Sequence, residues 1–171
     1  MVNVKFMNPF VEAASEVLLA EAQMRIQRGN LSLQKSSMTA SEVTVLLSII
    51  GQIQGVALYG MSFITALGLV SRMLGQDCKE FDNMAQSAIA ELGNVITGRA
   101  TIKLSEVGYI TNISPPTLIQ GQGLQISTLD FSRIVVPLTT DLGEIVVHLA
   151  LRESPPDMKD RNFVPISVPG L

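Results

Sequence analysis

Apolar residues recur at spacings of three and four from Phe10 to Met24, with Phe10, Ala13, Val17, Ala20 and Met24 on one helical face and Val11, Ala14 and Leu18 widening it. Asn8 followed by Pro9 reads as a cap with a first-turn proline, and Gly29 with Asn30 reads as the stop, so a first long helix is predicted. Residues 31–38 alternate through Leu31 and Leu33 and predict a strand. From Val43 to Ser71 no charge occurs across 29 positions, a run long enough to raise a membrane span. Gly51, Gln52, Gln54, Gly55 and Gly60 interrupt it every few residues, which favours a buried hairpin over 43–60. Ser62 then caps a helix over Phe63–Leu74 that Gly75 ends.

A second long helix is predicted from near Asp77–Asp82 to about Leu104, its apolar stripe drawn through Phe81, Met84 or Ala85, Ala88, Leu92 and Val95. Strands follow over Tyr109–Ser114, Leu118–Gln120, Ile126–Leu138 and Glu144–Leu151. Each half thus holds a long helix and then strands. Gly55-Val-Ala-Leu-Tyr-Gly60 echoes Gly143-Glu-Ile-Val-Val-His148 at an offset of 88, and Glu12–Ser15 stands against Glu91–Asn94 at an offset of 79. The expected fold class is α+β: a single domain over residues 1–152, made of two degenerate, intertwined α-β-β-β pseudo-repeats (about 8–75 and 78–152). An antiparallel sheet packs against the two long helices. Residues 153–171 hold four of the eight prolines and read as an extended C-terminal tail.

Composition narrows the function classes. With 47% hydrophobic residues in 171, a sizeable core is available, while 16% charged residues and a net charge of −3 supply no cationic footprint for nucleic acid. Cys78 is the single cysteine and cannot form an internal disulfide, and the opening MVNVKFMNPF lacks a basic and then apolar leader, so a cytoplasmic location is expected. One cysteine and one histidine cannot assemble a His/Cys zinc site, and no metal or other cofactor of its own is assigned. Neither a G-x-x-x-x-G-K, a G-x-G-x-x-G nor a G-x-S-x-G motif is present. His148 is the one imidazole, and without a recognisable nucleophile beside it the ordinary reading is a strand histidine at the sheet surface.

The polar side of the second long helix carries the candidate chemistry. Ser87, Glu91, Asn94 and Gly98, spaced four, three and four, share one face and project a carboxylate beside a carboxamide. Gly93 in mid-helix costs about 1 kcal/mol relative to Ala, a cost explained if another protein surface approaches the bare backbone there. Spacing alone is weak, because nine Glu and seven Asn in 171 positions yield about 0.4 chance matches and a second pair exists at Glu80 and Asn83, where capping explains it. By spacing alone a solvated helix face is the ordinary reading.

The run Ser87-Ala-Ile-Ala-Glu-Leu-Gly-Asn-Val-Ile-Thr-Gly-Arg99, with Ile113-Ser-Pro-Pro-Thr117 after it, resembles the CheX branch of the CheC/CheX/FliY chemotaxis phosphatases. That family's motif is Asp/Ser-x3-Glu-x2-Asn with a following Gly, and Ser87, Glu91, Asn94 and Gly98 fill it; the resemblance covers about residues 8–152. It implies hydrolysis of the aspartyl phosphate of a phosphorylated CheY-like response regulator, with Mg²⁺ held by the regulator. Glu91 and Asn94 would be the catalytic pair, Asn94 placing water and Glu91 anchoring the regulator's lysine, with Ser87, Gly93 and Gly98 meeting the partner. The first-half copy carries Ser15 where an active copy has Asn, so a single site is implied. A homodimer joined through a sheet edge is implied as well, with neither nucleic acid nor membrane as partner. The competing reading is a non-enzymatic module that binds the phosphorylated regulator or belongs to the flagellar switch.

Overall fold

A computed structural model of the chain describes residues 4–35, 37–129 and 131–155. A 3-10 turn over Val4–Phe6 leads into helix α1, Met7–Ala22. Two short strands follow, β1 (Gln27–Arg28) and β2 (Ser32–Gln34), then β3 (Ser37–Thr39), the hairpin β4 (Val43–Gly51) and β5 (Ile53–Met61), and helix α2 (Phe63–Leu74). The second half runs through helix α3 (Asn83–Glu106), β6 (Thr111–Ile113), β7 (Thr117–Gln120), β8 (Gln125–Ser127) and the hairpin β9 (Arg133–Thr140) and β10 (Gly143–Glu153).

One antiparallel sheet has the order β1-β9-β10-β5-β4-β6, with β2 also on β9 and β7 also on β4; β3 pairs with β8 in a separate two-stranded sheet. The two long hairpins meet in the middle, where β5 and β10 pair from Gly60 opposite Val146 to Ile53 opposite Glu153. Alternation sends Val45, Leu47, Ala57, Tyr59, Val136, Leu138, Val147 and Leu149 to one face, where they form the core with Phe10, Leu18, Ile89, Leu92 and Ile96 of the helices. α1 and α3 lie antiparallel, as Glu16 pairing with Arg99 and Glu12 with Lys103 requires.

The charge-free run over 43–71 is β4, β5 and α2, and among the described residues no helix is long and apolar enough to cross a membrane. α2 has the predicted ends: Ser62 Oγ accepts from Thr65 N–H, and Gly75 closes the helix at φ 66°.

Other boundaries differ for identifiable reasons. α1 starts at Met7 without a side-chain cap, so Asn8 lies within its first turn. It stops at Ala22 rather than near Gly29, because Gln23 adopts a left-handed φ of 51° and Met24 N–H bonds back to the Leu18 carbonyl. Met24 is still buried, so its apolar spacing reflects the core and not the helix.

The predicted strand over 31–38 divides between two sheets as β2 and β3. That over 126–138 breaks at Leu129, whose φ is 51°, into β8 and β9. Pro115 and Pro116 separate β6 from β7 along β4, since proline offers no ladder donor. β10 runs to Glu153, and Ser154 bonds to the Gly51 carbonyl, so the chain stays on the sheet past the expected start of the tail; residues 156–171 lie outside the described residues.

His148 stands on the face turned from the helices, between Val135 and Leu58, but it is only 7% exposed and so is not a surface histidine. Burial, and then the charge of the equally buried Arg133, push its pKa down to about 4. The unfolded chain, with an ordinary value near 6.5, takes up a proton that the folded chain refuses. The stability this histidine contributes is therefore complete above about pH 6.5 and is lost as pH falls through about 4. His148→Gln should flatten the loss of melting temperature between these pH values relative to the unaltered chain, a comparison made by thermal unfolding across the range.

Candidate functional site

Asp82 starts α3 by accepting from Ala85 N–H, as a short acidic cap does at the positive end of a helix. The buried side of α3 is Ala85, Ile89, Leu92, Gly93, Ile96, Thr97, Ala100 and Leu104. Of the predicted stripe, Ala85 and Leu92 are buried and Phe81 and Ala88 pack against the core, whereas Val95, and Met84 as the alternative to Ala85, face outward, because α3 carries apolar residues on both faces. Met84 is 56% exposed, Val95 38% and Ile102 55%. At 100° per residue these three fall on the same stripe as Glu91 and Gly98, with Ser87 and Asn94 along its edge.

The outward face is therefore mixed. Glu91 and Ser87 are exposed and Asn94 half-buried. Asn94 Nδ2–H leans toward Glu91 Oε2 across 3.4 Å, so the two head groups adjoin. One turn on, Gly98 leaves the backbone open: a Cβ there would meet only Ile113 Cδ1, at 4.0 Å.

Gly93 faces the opposite way, which corrects its expected place on a partner-binding surface. It is buried, and a Cβ on it would fall 2.8 Å from Val45 Cγ1 and 3.2 Å from Val45 Cβ. The close approach that explains a glycine here is made by the protein's own β4. The decoy pair does not form a site: Glu80 lies in the loop before the helix and Asn83 is its first residue.

The first-half counterpart sits on α1 with its charge already engaged. Glu12 lies 3.4 Å from Lys103 Nζ, and Glu16 lies 2.7 Å from Lys103 and 2.8 Å from Arg99 Nε. Lys103, then Arg99, holds the Glu16 carboxyl below its ordinary pKa, and Glu16 raises Lys103. Ser15 is exposed beside this ridge. Lys103, opposite Glu12, lies twelve residues beyond Glu91, about 18 Å along the helix.

Spacing did not reveal this ridge, because opposite charges on two helices pair only once their antiparallel register is known. It also missed the buried bond between Tyr59 Oη and Thr97 Oγ1, at 2.8 Å beneath the Asn94 turn. Among the described residues, no group of three or more His, Cys, Asp or Glu side chains is placed to hold a metal ion. An apolar groove of about 420 Å³, lined by Leu46, Val56, Leu58, Phe131 and Arg152 among others, opens on the sheet face away from the helices.

The profile of the family described as "Chemotaxis phosphatase CheX" matches residues 43–139. The CheY-P phosphatase CheX of Thermotoga maritima is 42% identical over 89 residues, a match spanning 52% of this chain and 57% of that protein's length. A CheC-like superfamily protein from Shewanella sp. PV-4 superposes at a TM-score of 0.81 with 26% identity, over 88% of this chain and 99% of its own. The CheX–CheY–BeF3–Mg²⁺ complex from Borrelia burgdorferi matches at a TM-score of 0.76 with 28% identity, over 88% of this chain and all of that one.

If Gly93 is a seat on β4, adding a methyl there should destabilise the fold. Gly93→Ala gains about 1 kcal/mol of helix propensity but forces an overlap that costs about 1–3 kcal/mol, so a net loss is expected. Introducing Val45→Ala as well should recover part of it, a coupling that a double-mutant cycle of denaturant melts measures.

Proposed function

The chain belongs to the CheX family of chemotaxis phosphatases, and we propose that it accelerates hydrolysis of the aspartyl phosphate of a phosphorylated CheY-like response regulator. The observation that carries this reading is the outward stripe of α3, where adjoining Glu91 and Asn94 stand between exposed Met84 and Ile102, with Val95 beside them and a bare backbone at Gly98. Such a ridge suits insertion into a partner's cleft. The names of the Thermotoga relative and of the Borrelia complex support the partner.

An acyl phosphate already has a good leaving group, so the catalyst needs to hold a water in line with phosphorus and does not need its own nucleophile. Water attacks phosphorus, the bond to the aspartyl oxygen breaks, and inorganic phosphate leaves a free carboxylate on the regulator. Asn94 is the water-placing group, its carbonyl oxygen accepting from the water while its NH₂ donates. Mg²⁺ on the regulator offsets the charge on the phosphoryl oxygens; the complex named for Borrelia includes that ion. Glu91 accepts from the regulator's active-site lysine and anchors the helix. Ser87 and Gly98 border the contact, and apolar Val95 and Ile102 add buried area as water is excluded. The reaction belongs to signal termination in the cytoplasm.

Asn94→Ala should abolish acceleration while affinity for the phosphorylated regulator stays within about threefold, because the amide acts mainly in the transition state. Glu91→Ala should weaken both, binding by about 1–3 kcal/mol. Glu12→Ala with Ser15→Ala should leave the rate unchanged. Phosphate release and regulator titration check all three, and an Asn94→Ala variant that is folded and fully active would show that the water is placed by something else. Unaltered protein that binds the regulator without releasing phosphate would favour the binding-module reading.

We also propose a homodimer paired through the sheet edge, which leaves both α3 ridges outward. Its support is the short edge strand β2 beside β9, with Leu33 61% exposed. Light scattering should give twice the 18.4 kDa of one chain at micromolar concentration.

A further inference from the structure

Tyr59 is 2% exposed and Thr97 fully buried, yet each carries a hydroxyl that a core without special demands would omit. Phenylalanine at 59 would bury the same ring. The two hydroxyls form a chain with one direction: Thr97 Oγ1–H donates to the Gly93 carbonyl at 2.7 Å, which leaves Tyr59 O–H to donate to Thr97 Oγ1 at 2.8 Å. Burial holds the phenol neutral and therefore able to donate.

The chain ends on a particular peptide group. The Gly93 carbonyl belongs to the planar unit that includes the Asn94 nitrogen, so strand β5 is tied through two hydroxyls to the peptide from which Asn94 projects. On the other side of Gly93, the missing Cβ seats the same turn on Val45 of β4. A roll of α3 by about 10° would move a side-chain tip by about 1 Å, given tips about 5–6 Å from the axis. The apolar contacts beneath α3 resist lifting of the helix but only weakly resist such a roll; a directed hydrogen bond resists it.

We propose that Tyr59 and Thr97 are positioning residues for Asn94, holding the roll of α3 at which its carboxamide meets the attacking water. The proposal rests on the reading of Asn94 as the water-placing group. Both hydroxyls are buried beneath α3, away from its outward ridge, so removing one should change the rate and leave docking as it was.

Tyr59→Phe and Thr97→Val should each lower kcat for phosphate release by about tenfold or more, as about 1 Å of misplacement implies, with KM for the phosphorylated regulator within about twofold. Thr97→Ser, which keeps the hydroxyl, should restore kcat. Thermal melts give the folded fraction to which the rates are normalised, and a hydroxyl that only stabilised the core would lower the melting temperature without changing normalised kcat. If the unaltered protein is active and Tyr59→Phe matches its normalised kcat, the positioning role is overturned while the phosphatase reading stands.

If the unaltered protein releases no phosphate, the phosphatase reading fails, and the side-chain amide resonances of Asn94 in the isolated protein decide the matter. A shift or doubling in Tyr59→Phe that Thr97→Ser does not produce supports the tether, and identical resonances overturn it.

Discussion

A 24-residue helix can lie close against a sheet only where its own side chains let the two backbones approach, and in α3 that gap is Gly93 over Val45. Seated there, the helix buries Ile89, Leu92, Ile96 and Ala100 against β4 and its neighbours, and α1 can lie antiparallel beside it. The same contact sets how high the opposite face stands above the sheet. Glu91 and Asn94 are presented by a helix whose depth is decided on its far side.

The two glycines of α3 therefore do opposite work. Gly93 points in and gives α3 its depth; Gly98 points out, where a Cβ would meet only Ile113 Cδ1 at 4.0 Å. Between them Thr97 lies against Tyr59, so one turn of helix has an apolar seat, a polar tether and an outward carboxamide. Local strain is not required for this. The helix is regular from the Asp82 cap to Glu106, and the site is a convex ridge whose working parts are short side chains on a rigid element.

Much of this was legible in the sequence wherever a local rule governs the outcome. Ser62 and Gly75 bound α2 as caps do, and the glycines and glutamines of the charge-free run marked it as hairpin and helix. The spacing of Ser87, Glu91, Asn94 and Gly98 placed them together on the outward side of α3. What was not legible depends on neighbours distant in sequence. Val95 counted as core, and Met84 stood as an alternative to the buried Ala85, because apolar residues lie on both sides of α3, and only the position of β4 says which side is inward. Gly93 was assigned outward for the same reason. The end of α1 at Gln23 and the break at Leu129 follow from left-handed backbone at residues with side chains, which no turn signature announces. That His148 is covered likewise depends on how the second face of the sheet is buried.

Glu12 and Ser15 share the spacing of Glu91 and Asn94, yet their surroundings set them on another course. Antiparallel packing of α1 on α3 brings Lys103 to Glu12 and Glu16, and Arg99 to Glu16, so the acidic side of α1 is matched by cations of the same chain. Exposed pairs of this kind are screened by water and contribute little to stability, so their weight in folding is small. Their effect on recognition is larger. A carboxylate that must leave an intramolecular lysine before meeting one on a partner gains little from the exchange, whereas among the described residues Glu91 has only the long 3.4 Å contact from Asn94 to give up. Asn94 adds the second asymmetry, since serine lacks the separate donor and acceptor that a water in line with phosphorus requires. In the proposed mechanism, activity confined to one ridge follows from charge pairing and side-chain chemistry together, on a scaffold whose two halves repeat the same order of long helix and strands.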